Sequence, residues 1–247
     1  DALGIEFGTG ANLPLYDALS RTGIRHILAK HEQAAGFIAQ GYARVTGKPG
    51  VCLSSSGPGV TNLLTAIADA MMDSIPIIAI TGQVPRAMIG TDAFQEIDTF
   101  GLTIPITKRN YFVRNAFELI EILPEAFFEA CSGRPGPIVI DVPKDVFTEE
   151  TEFDGFPEAR FVSHELNSEK IQEIADAVNH ASKPILYAGG GVISSGASHL
   201  IRKLSEVSSI PVSTSLMGLG SFPFHDERFL GMPGMHGAPY TNLLLDE

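Results

Sequence analysis

Glu32 stands in the run Lys30-His31-Glu32-Gln33-Ala34-Ala35-Gly36-Phe37-Ile38-Ala39-Gln40-Gly41-Tyr42-Ala43-Arg44, at the first turn of a long, largely apolar helical pattern. A helix start offers free backbone N–H groups and favours negative charge, so a carboxylate there is placed to hold a hydrogen bond or move a proton. The run by itself leaves two readings open, a working acid and an ordinary helix-start glutamate. His31 could orient that carboxylate or cap the helix, and capping is the simpler role.

Three glycine-rich turns, Gly8-Thr9-Gly10, Gly57-Pro58-Gly59 and Gly189-Gly190-Gly191, each follow a strand-like run and precede a helical one. Such turns let phosphates or carboxylates meet free N–H groups. None completes G-x-G-x-x-G, because Leu13, Asn62 and Ser194 hold the sixth positions. Tight turning accounts for any one of them, whereas three at one edge of a parallel sheet would form a ligand crevice. Ser54-Ser55-Ser56 before Gly57 invites a hydrolase reading, but the G-x-S-x-G elbow is absent, and a serine here is expected to cap the following helix. His26, His199, His225 and His236 show no paired spacing and read as structural or surface residues. The loop Gly90-Thr91-Asp92-Ala93-Phe94-Gln95-Glu96 is polar and aromatic and follows a strand, a usual place for substrate contacts.

The elements that must carry these residues are legible as an alternation. From Asp1 to Phe147, strand-length apolar runs at Ile5–Phe7, His26–Ala29, Val51–Ser54, Ile77–Thr81 and Ile138–Val142 alternate with helical periods at Asn12–Arg21, His31–Val45, Val60–Met72 and Phe117–Ala130. This predicts an α/β fold, a doubly wound parallel sheet covered on both faces. In the helix at His31, Ala34, Ile38, Tyr42 and Val45 form one apolar stripe and Ala35, Ala39 and Ala43 another. Gly36 and Gly41 each cost about 1 kcal/mol relative to alanine, which points to close backbone packing. The helix is expected to be buried on most sides, with Glu32 partly desolvated.

Between Asp145 and Glu158 there are six acids and no base, which reads as an exposed linker. Alternation resumes at Ser168–Ala181, Ile185–Ala188, Ser195–Val207 and Val212–Ser215. The expected division is a first domain over 1–147, an acidic linker over 148–167 and part of a second, Rossmann-like α/β domain over 168–247. With 44% hydrophobic and 19% charged residues the composition is that of a globular enzyme, and a net charge of −12 without a basic cluster speaks against a nucleic-acid partner. The two cysteines, Cys52 and Cys131, suggest neither a disulfide framework nor a metal site. No apolar run reaches membrane-span length and no signal peptide precedes the first strand, so a cytoplasmic location is expected. The abrupt start and stop are read as those of a piece of a longer polypeptide.

Several motifs in order carry a resemblance: Leu13-Pro14-Leu15-Tyr16-Asp17-Ala18, Lys30 to Gly36, Gly41 to Arg44, Ser56-Gly57-Pro58-Gly59-Val60-Thr61-Asn62, Thr81-Gly82-Gln83-Val84-Pro85, Ile89 to Glu96 and Ser132-Gly133-Arg134-Pro135-Gly136-Pro137. Together they resemble the pyrimidine-binding domain of thiamine-diphosphate-dependent decarboxylases and carboligases, and within them the catalytic subunits of acetolactate synthases. The likeness continues through Gly189-Gly190-Gly191 and Gly231 to Gly237. It implies that Glu32 hydrogen-bonds a pyrimidine ring nitrogen of thiamine diphosphate and activates the cofactor. It also implies that Pro58 and Asn62 line the pyrimidine site, that Gly10 contacts the bound intermediate through its backbone, and that Phe94 and Gln95 reach the reacting centre in the neighbouring subunit. Lys144 matches a lysine near the substrate channel and Arg134 one that contacts flavin. Gly189, Gly190, Gly191, Met235, His236 and Gly237 match positions that hold a structural flavin adenine dinucleotide (FAD).

By the same resemblance the parent protein decarboxylates pyruvate and transfers the two-carbon unit to a second 2-keto acid in branched-chain amino acid biosynthesis. It would form a homodimer or tetramer through the pyrimidine-binding domain, with a small regulatory subunit as a further partner. Two departures qualify the match. Phe7 to Asn12 lacks a proline and a glycine usual before the Leu-Pro motif, and no Gly-Asp-Gly motif for Mg2+ and diphosphate occurs in the chain. The resemblance places that motif in a C-terminal domain, so this chain by itself is expected to be inactive. A related carboligase or decarboxylase acting on glyoxylate, oxalyl-CoA or sulfoacetaldehyde, and a non-catalytic binding or dimerisation fragment, stay open as alternatives.

Overall fold

The computed structural model describes residues 10–157 and 167–246. The expected strand at Ile5–Phe7, the first two residues of the Gly8-Thr9-Gly10 turn and the later part of the expected 148–167 linker lie outside the described residues. The chain divides into two compact units, Asp1–Val162 and Ser163–Glu247.

The first unit runs α1 (Leu13–Leu19), α2 (Glu32–Thr46), β1 (Gly50–Ser54), α3 (Pro58–Asp73), β2 (Ile77–Gln83), α4 (Thr99–Thr103), β3 (Arg109–Phe112), α5 (Ala116–Cys131) and β4 (Ile138–Pro143). Its strands form one parallel sheet in the order β1-β2-β4-β3. Successive strand residues face opposite ways. Cys52, Ile77, Ala79 and Val139 pack with Ala35, Ala39, Leu63 and Ile67 of α2 and α3. Val51, Ile78, Ile138, Ile140 and Val142 pack with Ala126 and Ala130 of α5 on the other side. Covering on both faces is why β1 and β4 are buried along their whole length and read as continuous apolar runs. The doubly wound α/β arrangement is the one the alternation predicts.

Three expectations change. Among the described residues of His26–Ala29 only His26 makes a bridge, so no ladder strand forms there. β3, which the sequence reading passed over, is an edge strand, Arg-Asn-Tyr-Phe, half polar and none of it fully buried. α2 is covered on one side, not most: Ala35, Gly36, Ala39, Gln40 and Ala43 are buried, while Ile38 and Val45 of the other stripe are exposed. A Cβ on Gly36 would stand 2.5 Å from the Ala66 Cβ, the close packing expected of it, but Gly41 has no neighbour within 4 Å.

The acidic stretch also behaves differently at its start. Asp145 accepts from the Arg86 Nε at 2.7 Å and Glu149 pairs with the same guanidinium, so these acids tie the end of β4 to the loop after β2 rather than standing in solvent. The base they need comes from a distant part of the chain.

The second unit runs α6 (Ser168–His180), β5 (Leu186–Ala188), α7 (Gly190–Ser194), α8 (Ser198–Ser208), β6 (Val212–Thr214), β7 (Phe229–Gly231) and α9 (Pro239–Asp246), with a parallel sheet ordered β5-β6-β7. The helix expected from Ser195 starts at Ser198 instead, because Gly196 at φ +69° turns the chain between α7 and α8. Among the described residues no helix is long and apolar enough to cross a membrane.

Candidate functional site

α2 and α3 lie side by side in parallel, and their contacts run in step. Asn62 Nδ2 donates to Glu32 Oε2 at 3.0 Å, Gly36 meets Ala66, the buried Gln40 Nε2 donates to the Ala66 carbonyl at 2.8 Å, and Arg44 pairs with Asp73 at 2.6 Å. This register brings both helix starts to one place, so the half-buried Glu32 carboxylate sits where two helix dipoles present positive ends. His31 is the N-cap of α2, its Nδ1 accepting from the Gln33 N–H at 3.1 Å. It therefore caps and does not orient the carboxylate.

The turn before α3 shapes the space around Glu32. Gly57 has φ 59° and ψ −113°, a conformation open to glycine, and a Cβ on it would stand 2.7 Å from the Gln95 carbonyl oxygen. Gln95, itself at φ 64°, is thus laid over the Gly57 turn of its own chain, and its Oε1 lies 3.9 Å from where a Gly10 Cβ would be. At Gly59 a Cβ would stand 3.5 Å from Glu32 Oε1 and 2.7 Å from Ser55 Oγ, so the missing side chain leaves that carboxylate oxygen room. Gly57 caps α3 without a side-chain bond, so no serine does. Ser54, Ser55 and Ser56 are buried instead behind the turn, where Asn12 Nδ2 donates to the Ser54 carbonyl. Asn12 Oδ1 and Ser54 Oγ are buried polar atoms with no protein partner.

Residues 7–102 match the model described as "Thiamine pyrophosphate enzyme, N-terminal TPP binding domain", and residues 171–247 that described as "Thiamine pyrophosphate enzyme, central domain". The chain belongs to the thiamine pyrophosphate enzymes. It is 54% identical over 241 residues to acetolactate synthase isozyme 1 large subunit of Escherichia coli (strain K12), which covers 96% of this chain and 42% of that protein. An acetolactate synthase of Mycobacterium bovis is 50% identical over 247 residues, 96% of this chain and 40% of its own length. The acetolactate synthase large subunit of Corynebacterium glutamicum is 49% identical over 234 residues, 93% of this chain and 37% of its own. The chain spans about two fifths of the length of these relatives.

For a thiamine pyrophosphate enzyme the first unit holds a compact set of candidates: Glu32, Asn62, Gly10, Gln95 and the Gly57-Pro58-Gly59 turn meet at the carboxyl edge of the sheet. Phe94 beside them is 88% exposed. Lys144 is exposed at the end of β4, its N–H donating to the Gln83 carbonyl at 3.0 Å on the same edge. Arg134 stands apart. It caps the far end of α3, Nε donating to Ser74 Oγ at 2.7 Å and Nη2 to the Met72 carbonyl at 2.9 Å, roughly 20 Å from the helix start by helical rise.

The three glycine turns do not share one edge: Gly57 belongs to the first sheet and Gly189 to the second. In the second unit Gly189 is the N-cap of α7, and Gly190 lies so near Met217 that a Cβ would meet its Cβ at 3.1 Å. Met235 is 94% exposed and His236 exposed in the turn after β7, and a Cβ on Gly237 would stand 2.1 Å from the Met232 oxygen. Thr214 Oγ1, at the end of β6 between these turns, is buried without a partner. Among the described residues no group of three or more His, Cys, Asp or Glu is arranged to hold a metal ion.

A buried polar cluster went unread in the sequence. Asp141 in β4 accepts from Thr81 Oγ1 at 2.6 Å and from Gln83 Nε2 at 3.1 Å. Burial pushes its carboxyl up to about 7 against those hydrogen bonds. The signal that could have found it is one acid inside the apolar run Ile138-Val139-Ile140-Asp141-Val142.

Proposed function

We propose that the parent protein is a thiamine-diphosphate-dependent acetolactate synthase large subunit, which decarboxylates pyruvate and joins the two-carbon unit to a second 2-keto acid. The observation that carries this reading is the Glu32–Asn62 pair at the paired starts of α2 and α3. An aminopyrimidine needs a fixed carboxylate at a ring nitrogen, and the pair fits that need: Asn62 holds Oε2 while Oε1 faces the space that Gly59 leaves. When bound, thiamine diphosphate supplies the carbon nucleophile and electron sink for decarboxylation. Glu32 Oε1 would share a proton with the ring nitrogen, while the Asn62 amide holds the other carboxylate oxygen in place. The Gly57–Pro58 turn would give the ring a flat backbone wall, and Gln95, Phe94 and Gly10 would border the side on which substrate arrives, with Lys144 beside its entry.

FAD is proposed for the second unit. Gly189, Gly190 and Gly191 together with Met235, His236 and Gly237 would hold it at the carboxyl ends of β5 and β7, where the unpartnered Thr214 hydroxyl offers a hydrogen bond. Arg134 is retained as a contact to flavin only through its match to the family, since its guanidinium is engaged by α3. Mg2+ would be bound by residues outside this chain. A homodimer or tetramer formed through the first unit, a small regulatory subunit and a cytoplasmic setting complete the proposal, the last in keeping with two free cysteines, Cys52 and Cys131.

The full-length protein supplied with pyruvate, thiamine diphosphate and Mg2+ should release carbon dioxide and form acetolactate. Glu32→Gln in that protein should lower turnover about 100-fold or more, the scale of a lost proton-transfer group. Normal turnover by Glu32→Gln would sink the assignment of the pivot, and no carbon dioxide from the unaltered protein would sink the reaction.

A further inference from the structure

The loop over residues 84–98 leaves β2, carries Phe94 and Gln95, and returns to the sheet at α4. Three of its residues have positive φ: Gly90 at 80° and Asp92 at 57° adopt it readily, whereas Gln95 at 64° holds a conformation that its side chain disfavours. Two anchors hold it. At the tip the Glu96 carboxylate accepts from the Gly90 N–H and from the Ala93 N–H, the latter at 3.0 Å, and these donors keep it well below the usual carboxylate range.

At the base the anchor is buried. Gln83 Nε2 donates to the Ile97 carbonyl at 2.9 Å and to Asp141 Oδ2 at 3.1 Å and lies 3.4 Å from Thr99 Oγ1, while its Oε1 accepts from the Val84 N–H at 2.9 Å. Thr81 Oγ1 holds the other oxygen of Asp141. One amide thus joins both ends of the loop, Val84 and Ile97, to a carboxylate fixed in the central sheet. A charged side chain inside an apolar strand is costly unless its hydrogen bonds repay it, so its presence here calls for a role beyond packing.

We propose that Asp141 and Gln83 form a positioning pair that closes the 84–98 loop and thereby seats Gln95 against the Gly57 turn beside Glu32. This rests on the reading of the site given above and adds to it residues that touch neither cofactor nor substrate. The carboxylate orients Gln83, Gln83 fixes Val84 and Ile97, and the closed loop presses the Gln95 backbone onto the Gly57 turn, where the missing side chain leaves space. Asp98, which begins α4 by accepting from the Gly101 N–H, is the further acid near Asp141.

The test uses two variants in the full-length protein. Asp141→Leu keeps the branched shape and suits the strand but removes the acceptor, whereas Asp141→Asn can still accept from Gln83 Nε2 and donate to Thr81 Oγ1 after the hydroxyl turns. Hydrogen exchange of the amides over 86–98 should speed up at least tenfold in Asp141→Leu, with the amides of β1 and α3 unchanged, and stay near the unaltered rate in Asp141→Asn. In the same variants kcat/KM for pyruvate should fall about tenfold in Asp141→Leu and recover in Asp141→Asn, with thiamine diphosphate affinity little moved. A loop unaffected by leucine, a loop loosened equally by both variants, or faster exchange spread evenly over β1 and α3 would each overturn the pairing. If the unaltered protein fails to turn over pyruvate, the functional reading falls while the exchange result still decides the positional one.

Discussion

Gly57 and Gly59 stand two residues apart in one turn, yet they are glycine for different reasons. Gly57 needs a backbone conformation that L side chains avoid, and any Cβ would press on the Gln95 backbone at 2.7 to 3.1 Å, which cannot yield without moving the loop. Gly59 has ordinary helical backbone, and its nearest obstacle is the Ser55 hydroxyl at 2.7 Å, a side chain that can rotate. Gly57→Ala should therefore cost about 2–3 kcal/mol of stability, the sum of backbone strain and loop displacement. Gly59→Ala should cost about 1 kcal/mol, because a single hydroxyl moves, and it places a methyl group 3.5 Å from Glu32 Oε1. On the proposed reading Gly59→Ala is the variant that folds well and binds thiamine diphosphate at least tenfold more weakly. Urea midpoints and a cofactor titration check the pair, and equal midpoints for the two variants would show that the Gly57 conformation is not the constraint it is taken for.

At the scale of the element, α2 divides its two apolar stripes between different tasks. Ala35, Ala39 and Ala43 pack on the sheet and α3, while Phe37 at 39%, Ile38 at 37% and Val45 at 87% exposure face outward on the helix that begins with Glu32. An outward apolar face on the helix that carries the central carboxylate suits the proposed contact between subunits, since association would cover it and dry the neighbouring site. Phe37→Asp combined with Ile38→Asp should leave the circular dichroism of the full-length protein unchanged and lower its mass in solution to that of a single subunit. An unaltered mass would place the subunit contact elsewhere. The sequence pattern made both stripes visible but could not say which was inside, because periodicity records apolar faces and not what covers them. The same limit explains the other differences. β1 and β4 were legible because they are buried on both sides, whereas β3 is a half-polar edge strand and β7 is three residues long, and neither leaves an apolar run of strand length. Within the site, Glu32, Asn62 and the Gly57 turn could be read from motifs. The Asp141–Gln83 pair could not, since its members lie 58 residues apart and meet only through the parallel pairing of β2 and β4.

For the molecule as a whole, the described residues of the first unit contain one buried acid, Asp141, whose ionisation the fold resists. The Asp141 carboxyl has its folded value raised from 3.8 to about 7, with burial the main cause and the donors from Thr81, Gln83 and Thr99 opposing it. A raised value means that the folded chain binds the proton more tightly than the unfolded one, so the associated stability is fully present below about pH 4 and is lost as pH rises through 7. The acids lowered in the fold, such as Glu96 and Asp226, act in the opposite sense and only at lower pH, where the unfolded carboxyls begin to protonate. Between pH 5 and 8 Asp141 therefore contributes a stability that falls as pH rises. Asp141→Asn removes the titration while keeping a hydrogen-bonding side chain, so the stability difference between the unaltered protein and this variant should shift against the unaltered protein by about 2–3 kcal/mol across that window. With no tryptophan in the chain, far-UV circular dichroism in urea at several pH values is the suitable measure. A difference that stays flat from pH 5 to 8 would mean that Asp141 keeps an ordinary carboxylate value in the folded protein. A sloping difference, together with a loop that stays closed in Asp141→Asn, would separate the cost of burying this charge from its service in holding Gln95 beside Glu32.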